Sequence, residues 1–282
     1  MKHFRQYLVA RTAEEAIGLR RSVGPKAMYI AGGTTVVPFA SPGVDVLIDI
    51  TRLGLDRVFT DGDSVSLGST ARLAALVRPE VRSAVPVLGR AVRMVGSPLL
   101  RNAATVGGTL IGVFLPSDIG ITLLALGAEV HLSGEVERRV ALRDLLGEGW
   151  FSGYDLITGI RVPKRSPGAG AGFAKFGRSR VDIGLVNAAA AVTVSGRTLD
   201  ALTVAVGQTG SRPALFSGQE LGAAQGEASV SLVGEIARKA SGAVKPKADY
   251  RASADFRRHL VEVMVARALS DAIEEAGVRL GD

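Results

Sequence analysis

The chain has 282 residues, of which 47% are hydrophobic, 5% aromatic and none cysteine, with a formal net charge of +7. That length and apolar content support a packed interior divided into two or three domains, and no apolar run reaches the roughly eighteen residues that span a membrane. The absence of cysteine excludes disulfides, a cysteine nucleophile, cysteine-ligated zinc and an iron–sulfur cluster held by this chain, while His3, His131 and His259 lie far apart without metal-ligand spacing. The basic residues are scattered and no recognition motif accompanies them, so the positive charge reads as a basic soluble surface suited to an acidic partner rather than a nucleic-acid footprint. The start, Met1-Lys2-His3-Phe4-Arg5, has no apolar signal core, and a cytoplasmic location is expected.

In chain order, Thr12 is a good cap for a helix over 13–23, with Glu14 and Glu15 in its first turn and Arg20 and Arg21 near its end. Gly24-Pro25 stops it. Residues 27–30 read as a buried strand and 45–50 as an alternating one, giving a small α/β lobe. From Asp56 onward, 57–60 and 64–67 flank Asp61-Gly62-Asp63 as a hairpin. Ser69-Thr70 starts an expected helix to Val77, and a second covers 87–95. Strands 129–132 and 137–141 bracket a Ser133-Gly134 turn, and 154–162 is another strand. The Pro- and Gly-bearing segment 163–172 is the expected domain boundary. Beyond it, 172–178, 188–194 and 199–206 read as three strands backed by helices over 229–241 and 254–276. The last helix carries an apolar stripe of Leu260, Val263, Met264, Ala268, Leu269 and Ile273.

Two stretches carry the chemistry. Ala31-Gly32-Gly33-Thr34-Thr35 follows the first strand, and Thr105-Val106-Gly107-Gly108-Thr109 repeats the glycine pair with its hydroxyls. One such pair alone reads as a tight turn. Paired glycines also let backbone N–H groups approach an anion without Cβ obstruction, and two loops of this kind suit the two phosphates of one dinucleotide. Neither stretch is G-x-G-x-x-G, and no lysine follows the glycines as in a P-loop. Ser117 and Asp118 precede the apolar run 119–126 and either can cap that helix; Asp118 can instead accept from a ligand hydroxyl. Arg101 is placed either to reach a phosphate or to anchor its own loop.

Taken together these residues resemble the FAD-binding medium subunit of the molybdenum hydroxylases, the group that includes the carbon monoxide dehydrogenase medium subunit and the flavin domain of xanthine dehydrogenase. Ala31–Thr34 is similar to the first flavin loop of that family. Arg101-Asn102 with Thr105–Gly108 is similar to the second, and Pro116-Ser117-Asp118 to the step toward the ribityl and pyrophosphate region. Phe176-Gly177-Arg178 with Asp182-Ile183, and Ala252–Arg258 with Arg267-Ala268-Leu269, resemble the C-terminal domain. Thr109 stands where the family usually has asparagine, Thr35 where the first loop often has an acidic or amide residue, and Val113-Phe114-Leu115 where a polar, small stretch is usual.

The resemblance implies an α+β architecture: a two-lobed FAD-binding region, with a small α/β lobe over 1–55 and a larger α+β lobe over 56–171, then a C-terminal domain over 172–282. That last domain is expected to hold a three-stranded antiparallel sheet with helices. It also implies noncovalent FAD held by Ala31, Gly32, Gly33, Thr34, Thr35, Thr105, Val106, Gly107, Gly108, Thr109, Ser117 and Asp118, with no catalytic acid or base on this chain. The implied role is electron transfer within a hetero-oligomeric oxidoreductase. Molybdenum–pterin and [2Fe–2S] clusters would sit on partner subunits, and an external acceptor would take the electrons. A subunit that keeps the scaffold without flavin is the alternative.

Overall fold

The computed structural model describes residues 4–111, 117–145, 154–210, 212–223 and 226–280. The first lobe is a parallel sheet of β1 (Gln6–Val9), β2 (Ala27–Ile30) and β3 (Val46–Asp49) in the order β1-β3-β2. Helix α1 (Ala13–Val23) covers it. Thr12 caps α1 by accepting from the Glu15 N–H at 3.1 Å, and the Glu15 carboxylate accepts from the Arg11 N–H at 2.7 Å, so donors at the helix entrance are satisfied reciprocally. Ala16 and Ile17 face Ala27, Val46 and Ile48 in one buried cluster. A short helix α2 (Val36–Phe39) follows the first glycine stretch.

The second lobe is an antiparallel sheet of β4 (Val58–Asp61), β5 (Ser64–Gly68), β6 (Glu129–Ser133), β7 (Arg138–Ala141) and β8 (Leu156–Pro163), ordered β4-β5-β8-β6-β7. Gly62 turns the first hairpin at φ +47°. The helix expected from Ser69 is corrected: the Ser69 N–H donates to Thr158 O and the Thr70 N–H to Leu55 O, tying both residues to other segments, and only a 3-10 turn over Leu73–Val77 forms. Helix α4 (Pro86–Val92) forms where one was expected over 87–95, ending three residues sooner, and an unforeseen helix α3 (Pro79–Ala84) precedes it; each is opened by a proline whose missing N–H costs nothing there. Next come α5 (Pro98–Ala103), α6 (Val106–Leu110), α7 (Asp118–Ala125) and α8 (Leu142–Leu145). Leu73, Leu88, Leu110, Ile119, Leu123 and Ile160 are each at most 1% exposed and form the centre of this lobe.

The third unit is antiparallel, and its sheet has four strands rather than three: β9 (Ala169–Phe176), β10 (Val186–Ser195), β11 (Thr198–Gly207) and β12 (Ala214–Ser217), ordered β12-β11-β10-β9. The extra strand is a four-residue edge paired only to β11. β9 starts at Ala169, inside the segment expected as a connection, so the crossing from β8 is confined to 164–168. Helices α9 (Val230–Ala243) and α10 (Ala254–Glu275) cover one face, capped by Ser229 and Ser253. The Gly170-Ala171-Gly172 stretch explains how closely α10 lies on β9, because a Cβ on Gly170 or Gly172 would overlap the carbonyl oxygens of Ala272 or Ala268. The opposite face is continuous with the second lobe's core through Ala171, Phe173, Ala189 and Ala205. Among the described residues no helix is long and apolar enough to cross a membrane.

Candidate cofactor site

A cavity of about 510 Å³ opens where the three sheets meet. Every residue expected at the site lines it except Val106, which is fully buried in the second lobe's core and serves packing. Val113, Phe114, Leu115 and Pro116 lie outside the described residues.

The first stretch leaves β2 and turns at Gly33, whose φ of +69° favours glycine. Gly32 is required for another reason: a Cβ there would overlap the carbonyl oxygen of Ala103 at the end of α5, so the first glycine stretch packs against the backbone just before the second. Among the described residues nothing accepts a hydrogen bond from the N–H groups of Gly32, Gly33, Thr34 or Thr35. A run of donors without internal acceptors in a cavity wall calls for an external anion or other strong acceptor.

The second stretch is different, and the expectation of two open loops is corrected. It forms α6, and its donors are already used: Val106 N–H to Ala71 O at 2.9 Å, Gly107 N–H to Ser69 O at 2.8 Å, Gly108 N–H to Thr105 Oγ1 at 3.2 Å and Thr109 N–H to Thr105 O at 3.1 Å. Gly107 is a packing glycine, since a Cβ would sit 2.8 Å from Ser69 Cβ. Gly108 is exposed, and an added Cβ would meet only Thr105 Oγ1, at 2.9 Å. The stretch therefore presents a surface and side-chain oxygens to the cavity rather than free amides.

Ser117 is the cap of α7, accepting from the Gly120 N–H at 2.9 Å. Asp118, the first residue of α7, sends its carboxylate the other way. Oδ2 lies 2.7 Å from Lys175 Nζ on β9, and Oδ1 accepts from Asn187 Nδ2 on β10 at 2.8 Å. The Lys175 side chain is 1% exposed and also donates to the carbonyls of Asp182 at 3.0 Å and Met94. Burial pushes the Asp118 carboxyl above the usual carboxylate range, against the opposing pull of the Lys175 ammonium and the Asn187 amide. This node joins the turn after α4 to α7, β9 and β10 at the cavity wall. Arg101 resolves as an anchor, with Nη1 donating to Val95 O at 2.9 Å and Gly96 O at 2.7 Å.

Sequence reasoning missed much of the lining, including the polar side chains of Ser69, Tyr29, Lys175 and Gln208. Ser69 Oγ is buried in the wall with no hydrogen-bond partner among the described residues. Tyr29 donates its hydroxyl to Tyr154 O at 2.7 Å, and burial pushes its pKa up to about 12. Lys175 and Gln208 come from the third unit. Of these only Lys175 carried a signal: a lone cation in a strand of small and apolar residues demands a buried partner. The remaining wall is largely apolar, with Leu73, Leu100, Ile119, Leu156 and Ile157. Unpartnered amides, an orphaned hydroxyl and apolar walls fit a ligand that combines phosphate with a flat ring system, which is the shape of FAD's chemistry.

Comparisons with known proteins agree. The family model of the FAD-binding domain in molybdopterin dehydrogenase matches residues 2–165, and that of the CO dehydrogenase flavoprotein C-terminal domain matches 171–272. The chain is 29% identical to the 6-hydroxypseudooxynicotine dehydrogenase complex subunit alpha of Paenarthrobacter nicotinovorans, covering 96% of this chain and 95% of that one. It is 27% identical to the carbon monoxide dehydrogenase medium chain of Hydrogenophaga pseudoflava, covering 95% and 96%. A solved carbon monoxide dehydrogenase from the latter organism, lacking the Mo-pyranopterin moiety of its cofactor, superposes with a TM-score of 0.88 at 26% identity, over 97% of this chain and 98% of that one. With the first family model alone spanning more than half of its residues, the chain belongs to the FAD-binding medium subunits of the molybdopterin dehydrogenases.

Proposed function

We propose that this subunit holds FAD noncovalently in the cavity and passes electrons from [2Fe–2S] clusters on one partner chain to an external acceptor, while a molybdenum–pterin subunit oxidises the substrate. The observation that carries the site assignment is the run of amides at Gly32–Thr35 on the cavity wall with no acceptor among the described residues. These amides receive the pyrophosphate. Ser69, Thr105 and Thr109 would supply hydroxyl oxygens to the same cavity, which Ser117 and Asp118 also line. When bound, FAD supplies the conversion between one-electron and two-electron transfer.

The chain's own residues bind, orient and exclude water. The apolar side chains lining the cavity would lower the dielectric around a bound flavin, and the Asp118–Lys175–Asn187 node fixes charge in the cavity wall. No residue of this chain is assigned as a catalytic acid or base. The absence of cysteine makes dependence on a cluster-bearing partner strict for cysteine-held iron–sulfur chemistry. Within the reading, the flavin is held mainly by the two lobes that precede the 164–168 crossing, and the C-terminal domain begins with β9 after it. Limited proteolysis at that crossing tests this division.

The function is tested by purifying the native complex and the isolated chain, both loaded with FAD. Substrate should bleach the flavin absorbance of the complex and leave that of the isolated chain unchanged. Bleaching of the isolated chain by substrate contradicts the partner requirement.

A further inference from the structure

We propose that Arg257, held by Asp249, is a positioning residue that shapes the C-terminal wall of the flavin cavity from behind. This rests on the FAD reading above. Arg257 lies in the first turns of α10 and is only 2% exposed, which is rare for a guanidinium without a structural task. Its Nη1 donates to two carbonyls, Leu185 O at 2.6 Å and Gln208 O at 3.2 Å. Nη2 lies 2.7 Å from Asp249 Oδ2.

The two carbonyls belong to neighbouring ends of the sheet. Leu185 immediately precedes β10 and follows Ile183-Gly184; Gln208 immediately follows β11. Ile183, Gly184 and Gln208 all line the cavity, whereas Arg257 does not. One planar guanidinium therefore ties together the two backbone segments that carry the C-terminal side of the wall. A lysine cannot reproduce this, since its ammonium is a single point donor without the fork.

The backbone at Gln208 shows what the clamp is holding. Its φ is +63°, the left-handed region, and Gln208 is the one non-glycine described residue with positive φ. Residues in that region persist where their surroundings over-determine them. Asp249 is itself fixed: Oδ1 accepts from the N–H groups of Arg251 at 2.8 Å and Ala252 at 3.2 Å, and Oδ2 accepts from Arg251 Nε at 3.0 Å. Burial opposes its ionisation, but the Arg251 N–H and the Arg257 and Arg251 guanidiniums outweigh that and hold its carboxyl far below the usual range. The carboxylate thus stays charged to orient Arg257 throughout the working pH range.

The test compares FAD titrations of the full chain as wild type, R257K, D249N and the R257K/Q208G double variant. Readouts are affinity, visible circular dichroism of the bound flavin and its midpoint potential, with thermal melts of the apo forms alongside. R257K and D249N should bind FAD on the order of tenfold more weakly, the scale on which outer residues tune a bound group, with an altered flavin dichroism. Q208G should restore part of the loss in R257K, because glycine adopts the left-handed backbone without a clamp. Wild-type affinity, dichroism and potential in R257K and D249N, with only a lowered melting temperature, would reduce the pair to fold support and overturn the proposal. Should R257K fail to fold, D249N keeps the arginine in place and decides alone. A wild-type chain that takes up no FAD overturns the cofactor reading together with this one; a binding wild type with unaffected variants overturns this one only.

Discussion

Substituting Lys175 with methionine keeps the length of the side chain and removes its charge. In the folded chain this strands Asp118, whose side chain is 11% exposed and keeps only the Asn187 amide at 2.8 Å. Leaving one member of a buried ion pair without its partner costs about 3–5 kcal/mol. For a chain of this size that is a fall in Tm of roughly 6–20 °C. The pH dependence follows from the carboxyl. Without the ammonium, desolvation drives the folded-state pKa of Asp118 further above its unfolded value of about 3.9. The folded state then binds the proton more readily than the unfolded one, so stability falls as pH rises from the unfolded carboxylate range through the folded pKa, and acid relieves the defect. K175M should therefore approach wild type as pH is lowered toward 4, and the K175M/D118N double variant should recover most of the loss at pH 7. Melts of the apo proteins across pH measure this. A K175M defect that grows in acid, or one no smaller in the double variant, refutes the buried-pair account.

The glycines make separable predictions. G32A should lose about 1–3 kcal/mol, the usual cost of overpacking, because its methyl meets the Ala103 carbonyl and backbone cannot yield cheaply; flavin content should fall with it. G108V places its bulk at the exposed side of α6, where its Cβ displaces the capping Thr105 hydroxyl 2.9 Å away, and should stay folded with a modestly lower melt while losing FAD. Unchanged flavin content in a folded G108V protein counts against that wall as a ligand surface. S69A removes a buried hydroxyl with no partner among the described residues, so the apo form should be as stable as wild type or slightly more so, while FAD affinity drops. Loss of apo stability in S69A shows instead that the hydroxyl already has a partner in the folded protein.

Much of the fold was legible where local chemistry is decisive. Thr12, Ser117, Ser229 and Ser253 each accept from an N–H in the first turn that follows, and the Gly62 hairpin and small-residue strands are where turn and alternation rules put them. The failures share a cause, which is long-range pairing that local rules do not see. Ser69 and Thr70 looked like a helix start, but Thr158 and Leu55 take their amides. Gly107 and Gly108 looked like an open loop, yet Ser69 and Thr105 draw them into a short helix. β12 is four residues long and exists through pairing with β11 alone. At the site, the glycines and hydroxyls were readable as a set because they cluster in sequence. Lys175, Asn187 and Arg257 were not, because their partners Asp118, Leu185 and Gln208 lie on other elements and meet them only after folding.

The central claim is that the amides of Gly32–Thr35 and the cavity around them hold FAD. The most direct measurement is the visible absorption spectrum of the purified chain, followed by heat release and identification of the chromophore. The account predicts flavin bands, close to one FAD released per chain, and recovery of the bands when FAD is added back to the apo protein. A colourless, folded chain that takes up no added FAD would contradict it.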